Sequence, residues 1–275
     1  MKPAAATRQK RLLPGFTISM GITLSYLSLI VIIPLSMIFV KTAALGPGEL
    51  WEIIKDPRVL ASLRLTVLTS LAAAVFNVIF GLLLAWVLTR YSFPGKKMID
   101  GLIDLPFALP TAVAGIALTE LYAPNGWIGQ LFHTKVAFTP FGIIIALIFI
   151  GIPFVVRTVQ PVIKSLDKEM EEASATLGAS RGRTFISVIF PQLLPSLITG
   201  FSLAFARSLG EYGSVVFIAG NIPLKTEIAP LIIMSKLEQY DYNGAAAVAC
   251  IMLVISFILL LLINLWQWKV SRNGL

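Results

Sequence analysis

The residues able to do chemistry are few. The one histidine, His133, has no cysteine or acidic cluster beside it, so no metal site is expected. The one cysteine, Cys250, lies inside an apolar run; it has no partner for an internal disulfide and is expected to be a buried, inert thiol. Neither a G-x-S-x-G elbow nor a G-x-G-x-x-G turn occurs. GASRGRT, residues 178–184, comes near a phosphate-binding loop, but that loop needs four residues between its glycines and a lysine before Ser/Thr. Here three intervene, and Arg183 stands where the lysine should be. No ATP site, no catalytic residue and no cofactor are therefore expected in this chain. Energy for moving a solute would have to come from a partner or an ion gradient.

Three charged side chains remain of interest because of where they fall. Arg207 and Glu211 are four residues apart near the end of an apolar run that starts at 188. About 20 residues of helix rise roughly 30 Å, which places Arg207 near the far boundary of that run. Charges at membrane depth usually pair and often mark pathways. The pair is a candidate outer gate, with a structural ion pair at a helix end as the alternative. Asp104 sits in DLPFALP, beside two prolines, where it is expected to cap the helix after the break; contact with a neighbouring element is the alternative.

The elements that carry these residues are dictated by composition. Of 275 residues, 57% are hydrophobic and 13% charged, with a mean hydropathy of +0.86. A soluble domain carries about a quarter charged residues, so a lipid bilayer is the expected solvent. The net charge of +8 does not indicate nucleic acid, because basic residues flank apolar spans under the positive-inside rule. Six segments are long and apolar enough to cross, or nearly so: 16–40, 65–88, 102–122, 138–156, 188–209 and 244–266. The first is too long for a signal-peptide core and reads as a retained helix. Pro106, Pro110 and Pro153 interrupt the third and fourth, which should face protein or a cavity. With the N-terminus inside, 14 Lys and Arg fall in inner segments and 7 in outer ones, which predicts both termini in the cytoplasm. Small residues at Ala112, Ala114, Gly115 and Ala117, and again at 244–247, suggest close helix seams. In the outer segment 210–243, IAPLIIMSKLEQYD reads as a short amphipathic helix lying near the surface.

This topology leaves one long inner connection, 157–187, containing the stretch EEASATLGASRGRTFISVIFP at 171–191. Asp167 is placed to cap a helix from Lys168, with acids in its first turns suiting the positive end of the helix dipole. Met170, Ala173 and Leu177 form a narrow apolar stripe. Gly178 is placed to stop the helix in a left-handed turn, and a second short helix can run from Ser180 toward Pro191. The product is a knob with small residues for close approach, suited either to a groove on another protein or simply to joining two spans.

From Glu172 the stretch reads E-A-S, three residues, Gly178, nine residues, V-I-F-P. This resembles the signature of binding-protein-dependent ABC importer permeases: E-A-A, three residues, Gly, nine residues, I-x-L-P. The departures are Ser174, Val188 and Phe190. LTRYSFPGKKMIDGLIDLPFALPTAVAG, GIPFVVRTVQPV and ARSLGEYGSVVFIAGN are similar to the oxyanion branch of that family, which includes molybdate and sulfate/thiosulfate systems. The segment KTEIAPLIIMSKLEQYDYNGAAAVA is most like the T-type sulfate/thiosulfate permeases. The resemblance implies an all-α fold of six transmembrane helices, the type I importer permease fold. It also implies an inner-membrane location and import by alternating access. Glu172, Ala173, Ser174, Gly178 and Pro191 would then form the coupling surface for an ATPase. Implied partners are a W-type second permease, two ATPase subunits and a periplasmic sulfate/thiosulfate-binding protein, besides the lipid bilayer. The implied organisation is a tail at 1–14, a first helix and outer loop at 15–59, and a permease core at 60–266. Coupling helices lie at 165–187 within that core, and a tail follows at 267–275. Import of another oxyanion is the alternative within the family. A gradient-driven carrier is the alternative outside it, though matching broken helices in two halves are not found. An intramembrane enzyme lacks a nucleophile–base pair.

Overall fold

The computed structural model describes residues 15–131 and 134–272, so His133 lies outside the described residues. The first long helix, α1, is Phe16–Ala43, with a π turn at Ser28–Ile32 just ahead of Pro34. Proline has no N–H to continue the α pattern, and a wider turn makes room for its ring. α2 is Pro47–Lys55. α3 is Pro57–Arg90, capped by Asp56, whose carboxylate accepts from the Arg58 N–H at 2.8 Å. It therefore begins at Pro57, earlier than the apolar pattern suggests, because a charged first turn ends hydropathy without ending a helix. At 1.5 Å per residue its 34 residues span about 51 Å, more than a bilayer core of about 30 Å.

The third apolar segment is broken into α4 (Lys96–Ile103), α5 (Leu105–Ala108) and α6 (Thr111–Tyr122). Leu109 and Pro110 are extended, with ψ of 138° and 132°, as expected where proline disfavours helix in the residue before it. The fourth segment behaves differently. α7, Pro140–Ser165, stays one helix through Pro153 and Pro161. Its apolar window is 56% buried against 0% for α1, so neighbours on several sides hold it together. α8 is Lys168–Thr176. α9 is Arg181–Leu209, with a π turn at Phe185–Ile189. The remainder are α10 (Val215–Ile218), α11 (Ala229–Glu238) and α12 (Tyr242–Arg272).

α3, α7 and α9 form the central trio. At one end Ala85, Leu88, Val155, Val159 and Leu193 are packed together. At the other, Val59, Leu63, Phe205 and Leu209 are joined by Ala229, Ile232 and Val248. The first turns of α11 pack inward: Ala229, Leu231 and Ile232 are buried, and the Ala229 N–H donates to Thr66 Oγ1 at 2.9 Å. Its last turns, with Met234 and Leu237, stay exposed, so the helix lies partly at the surface as the sequence suggests. The buried hydroxyls of Ser62, Thr66 and Thr69 in α3 donate to carbonyls of their own helix, which removes the cost of placing them in an apolar interior. Gly115 lets α6 touch the segment before α10: a Cβ there would fall 2.7 Å from Ser214 Cα. Ala245 and Ala247 are buried in the α12 seam, and the Cys250 thiol is half-buried.

Candidate functional site: an exposed helical knob

α8 begins where its cap permits. The Asp167 carboxylate accepts from the Glu169 N–H at 3.0 Å, and Glu169 and Glu171 occupy the first turn. It ends in a Schellman turn. The Ala179 N–H donates to the Ser174 carbonyl at 3.1 Å and the Gly178 N–H to the Ala175 carbonyl at 3.0 Å. This closure needs a left-handed residue after the cap, and Gly178 supplies it at φ 80°. Ser180 then starts α9, its hydroxyl accepting from the Arg183 N–H at 3.4 Å.

Two anchors hold the knob from behind. Glu171 pairs with Arg90 at the end of α3, and the Arg90 guanidinium lies over the Trp86 ring, 5.1 Å from its centroid. Trp86 in turn meets Phe185 edge-on at 5.4 Å. The second anchor joins the Ser174 and Thr184 hydroxyls at 2.8 Å, bridging α8 to α9. No residue of α8 is buried. Leu177 is 88% exposed and Met170 50%, and Ala173 is exposed between them. The Met170 sulfur accepts from Gln192 Nε2 of α9 at 3.3 Å, so the stripe read from the sequence is tethered at Met170 and open to solvent at Ala173 and Leu177, flanked by Glu172, which makes no ion pair among the described residues.

Pro191 does not end the helix that starts after Ser180. The chain stays helical through it and through Pro195 to Leu209. The π turn at Phe185–Ile189 makes this feasible: the Phe190 N–H donates to the Phe185 carbonyl, five residues back. Pro191 would otherwise press its ring on the preceding turn.

At the far end of α9, Arg207 Nη1 meets Glu211 Oε2 at 2.6 Å. The two do not share a helical face, since α9 ends at Leu209. Glu211 sits in the following turn with its side chain 2% exposed. Its other oxygen accepts from both the N–H and the hydroxyl of Ser214 at 2.9 Å. A buried carboxylate so paired with Arg207 and Ser214 fixes the turn into α10. The length of α9 separates it from the knob.

Asp104 does not cap α5; its carboxylate makes no such bond. It accepts instead a two-pronged contact from Arg157 of α7, at 2.8 and 2.6 Å. The same guanidinium reaches the Asp100 carboxylate and carbonyl, both at 2.8 Å, and Gln160 Oε1 at 2.7 Å. Arg157, Arg90 and Thr184 carry roles that the sequence does not announce. Arg157 and Arg90 act on partners 53 and 81 residues away, and Thr184 stands at an unspecified position inside the signature.

The chain as a whole is similar to known proteins. Residues 77–272 match the model of the family described as "Binding-protein-dependent transport system inner membrane component". The chain is 48% identical over 271 residues, 98% of both chains, to the Sulfate transport system permease protein CysT of Escherichia coli (strain K12). It is 48% identical over 249 residues, 90% of this chain and 87% of the relative, to the CysT protein of Synechocystis sp. (strain ATCC 27184 / PCC 6803 / Kazusa). Its fold is similar to a chain of a bacterial ABC transporter involved in the import of alginate. That match has a TM-score of 0.76 and 15% identity, covering 93% of this chain and 96% of the other. It is also similar to a chain of the MetNI methionine ABC transporter in inward-facing conformations, at TM-score 0.55 and 19% identity, covering 83% and 99%. On the family match and the extent of identity to these relatives, the chain is a member of the binding-protein-dependent transport system inner membrane component family.

Proposed function

We propose that this chain is one permease half of an ATP-driven sulfate/thiosulfate importer, with α8 as the surface through which a separate ATPase drives it. The observation that carries this reading is the knob: an α-helix braced from behind by Glu171–Arg90 and Ser174–Thr184 with no buried residue of its own. Such rigidity with an exposed apolar stripe suits a groove in another protein. The named relatives supply the substrate class. Glu172, Ala173 and Leu177 present the docking face, Ser174 and Gly178 set its shape, and Pro191 lies where the knob joins α9.

In this reading both termini and α8 face the cytoplasm. A homologous W-type subunit supplies the other half of the path, two ATPase subunits dock beneath, and a periplasmic binding protein delivers the anion. Arg207 and Glu211 fix the outward end of α9 rather than hold the anion. The test is uptake of labelled sulfate by vesicles containing the complete importer. Uptake should require ATP and the ATPase subunits; uptake that continues without either refutes the proposal.

A further inference from the structure

We infer that Arg157 is a positioning residue that ties the broken span α4–α6 to α7, so that displacement of the docking helix α8 is delivered to that span. The inference rests on the reading of α8 as the driven surface. Its starting point is how the broken span is held. Breaks at Asp104 and at Leu109–Pro110 divide it into three short pieces, none long enough to be rigid alone. Near α8, the tie lies directly across the first break. Arg157 Nε and Nη2 grip both oxygens of Asp104, while Nη1 and Nη2 reach Asp100 on the preceding turn. Gln160 Nε2 adds a contact to Asp100 Oδ1 at 3.2 Å.

A guanidinium gripping two carboxylates and a carbonyl fixes orientation as well as distance, since its donors form a planar fork. Lysine, a point charge on a flexible stem, would keep the attraction and lose the geometry. The position of Arg157 on α7 adds to the case. Pro153 and Pro161 lie four residues to either side. Each proline lacks the N–H that would bond the carbonyl four residues back, and for Pro161 that carbonyl is Arg157's own. The tie therefore anchors α7 where its internal hydrogen bonding is thinnest. Only Leu166 and Asp167 separate α7 from α8. At the other end of the span, α6 rests on Ser214 through Gly115, next to the Glu211 turn. The path thus runs from the knob along the two-residue connection into α7, through the Arg157 contacts to α4–α6, and on toward the opposite end of the bundle.

The test uses the complete importer in proteoliposomes, with sulfate uptake and ATP hydrolysis measured together. Arg157→Lys and Asp104→Asn should still co-purify with the ATPase, while sulfate moved per ATP falls at least about fivefold. Asp104→Glu, which keeps the carboxylate, should remain within about twofold of the wild type. An unchanged ratio in both disruptive variants overturns the inference. So does failure of both to assemble, which would make the contact a requirement for folding alone. A second measurement does not depend on the substrate. In a Cys250→Ser background, spin labels at Met98→Cys on α4 and Ser165→Cys on α7 should keep one separation across nucleotide states. Adding Arg157→Lys should broaden it. A separation that changes in the otherwise unaltered protein shows that the tie does not hold, even if the importer proves to carry a different anion.

Discussion

Gly178 shows how much one residue decides. Its φ of 80° is required by the Schellman turn, yet nothing lies within 4 Å of where a Cβ would project. Substitution therefore strains the backbone without a clash inside the chain. A β-branched residue in the left-handed region costs about 1–2 kcal/mol, and the turn would relax by redirecting Leu177 and the end of α8. Gly178→Val should leave the protein in the membrane near its usual amount but sharply reduce ATPase co-purification and sulfate uptake. Gly178→Asn, which tolerates this conformation, should retain most of both. Equal behaviour of the two variants would show that the turn's shape is irrelevant to docking. Ser174 makes the complementary point. Alanine in the family's signature cannot form the bond to Thr184, so this chain adds a brace at a position where the signature carries none.

At the level of elements, legibility followed the range of the interaction. The caps at Asp167 and Gly178 and the long spans depend on neighbours within a turn or on mean hydropathy, and both were readable. For Asp104 the local proline context favours a cap, and the alternative, contact with a neighbouring element, is what is found, because its partner Arg157 is 53 residues away. That the helix after Ser180 and the span 188–209 are one continuous helix through Pro191 is not readable, because a π turn is a backbone adjustment with no composition of its own. For α11 the sequence indicates a short helix near the surface; that its first turns pack on α3 and α12 depends on contacts distant in sequence. The α11–α12 junction allows a test of stability. Asp241 accepts from Lys236 Nζ at 2.8 Å and from the Gly244 N–H at 2.9 Å, thereby capping α12. The Lys236 hydrogen bond, then the Gly244 N–H, lowers the carboxyl's pKa from its ordinary value of 3.8. Because the folded pKa is depressed, the contribution is fully present above the unfolded value. It is lost as pH falls through the folded value, so the window lies below about pH 4. Asp241→Asn retains a cap and should cost only a few tenths of a kcal/mol. Asp241→Ala should cost about 1 kcal/mol and lower the unfolding temperature of the purified protein at pH 7. Equal losses for Asn and Ala would mean that the charge, which both remove, dominates over the cap, which only Ala removes.

At the scale of the whole molecule, the two ends of the bundle are built differently, and their orientation follows from how they differ. One end carries α8 and Leu177. The other carries the loop between α6 and α7, where Trp127 is 88% exposed. α7 runs between them, from Pro140 to Ser165, so the two sites lie on opposite sides of any membrane it crosses. The excess of Lys and Arg in segments on the α8 side predicts, by the positive-inside rule, that this side faces the cytoplasm. Cys250 is the only native thiol, so the prediction needs one background change, Cys250→Ser. In cells lacking the ATPase subunits, which would otherwise cover the knob, Leu177→Cys should resist a membrane-impermeant maleimide until the membrane is opened. Trp127→Cys should react in intact spheroplasts. The reverse pattern would put α8 on the side without ATP, and an ATPase could not reach it. Labelling of both positions from one side would break the assignment of α7 as a single crossing, and with it the chain of contacts that links the knob to the opposite end.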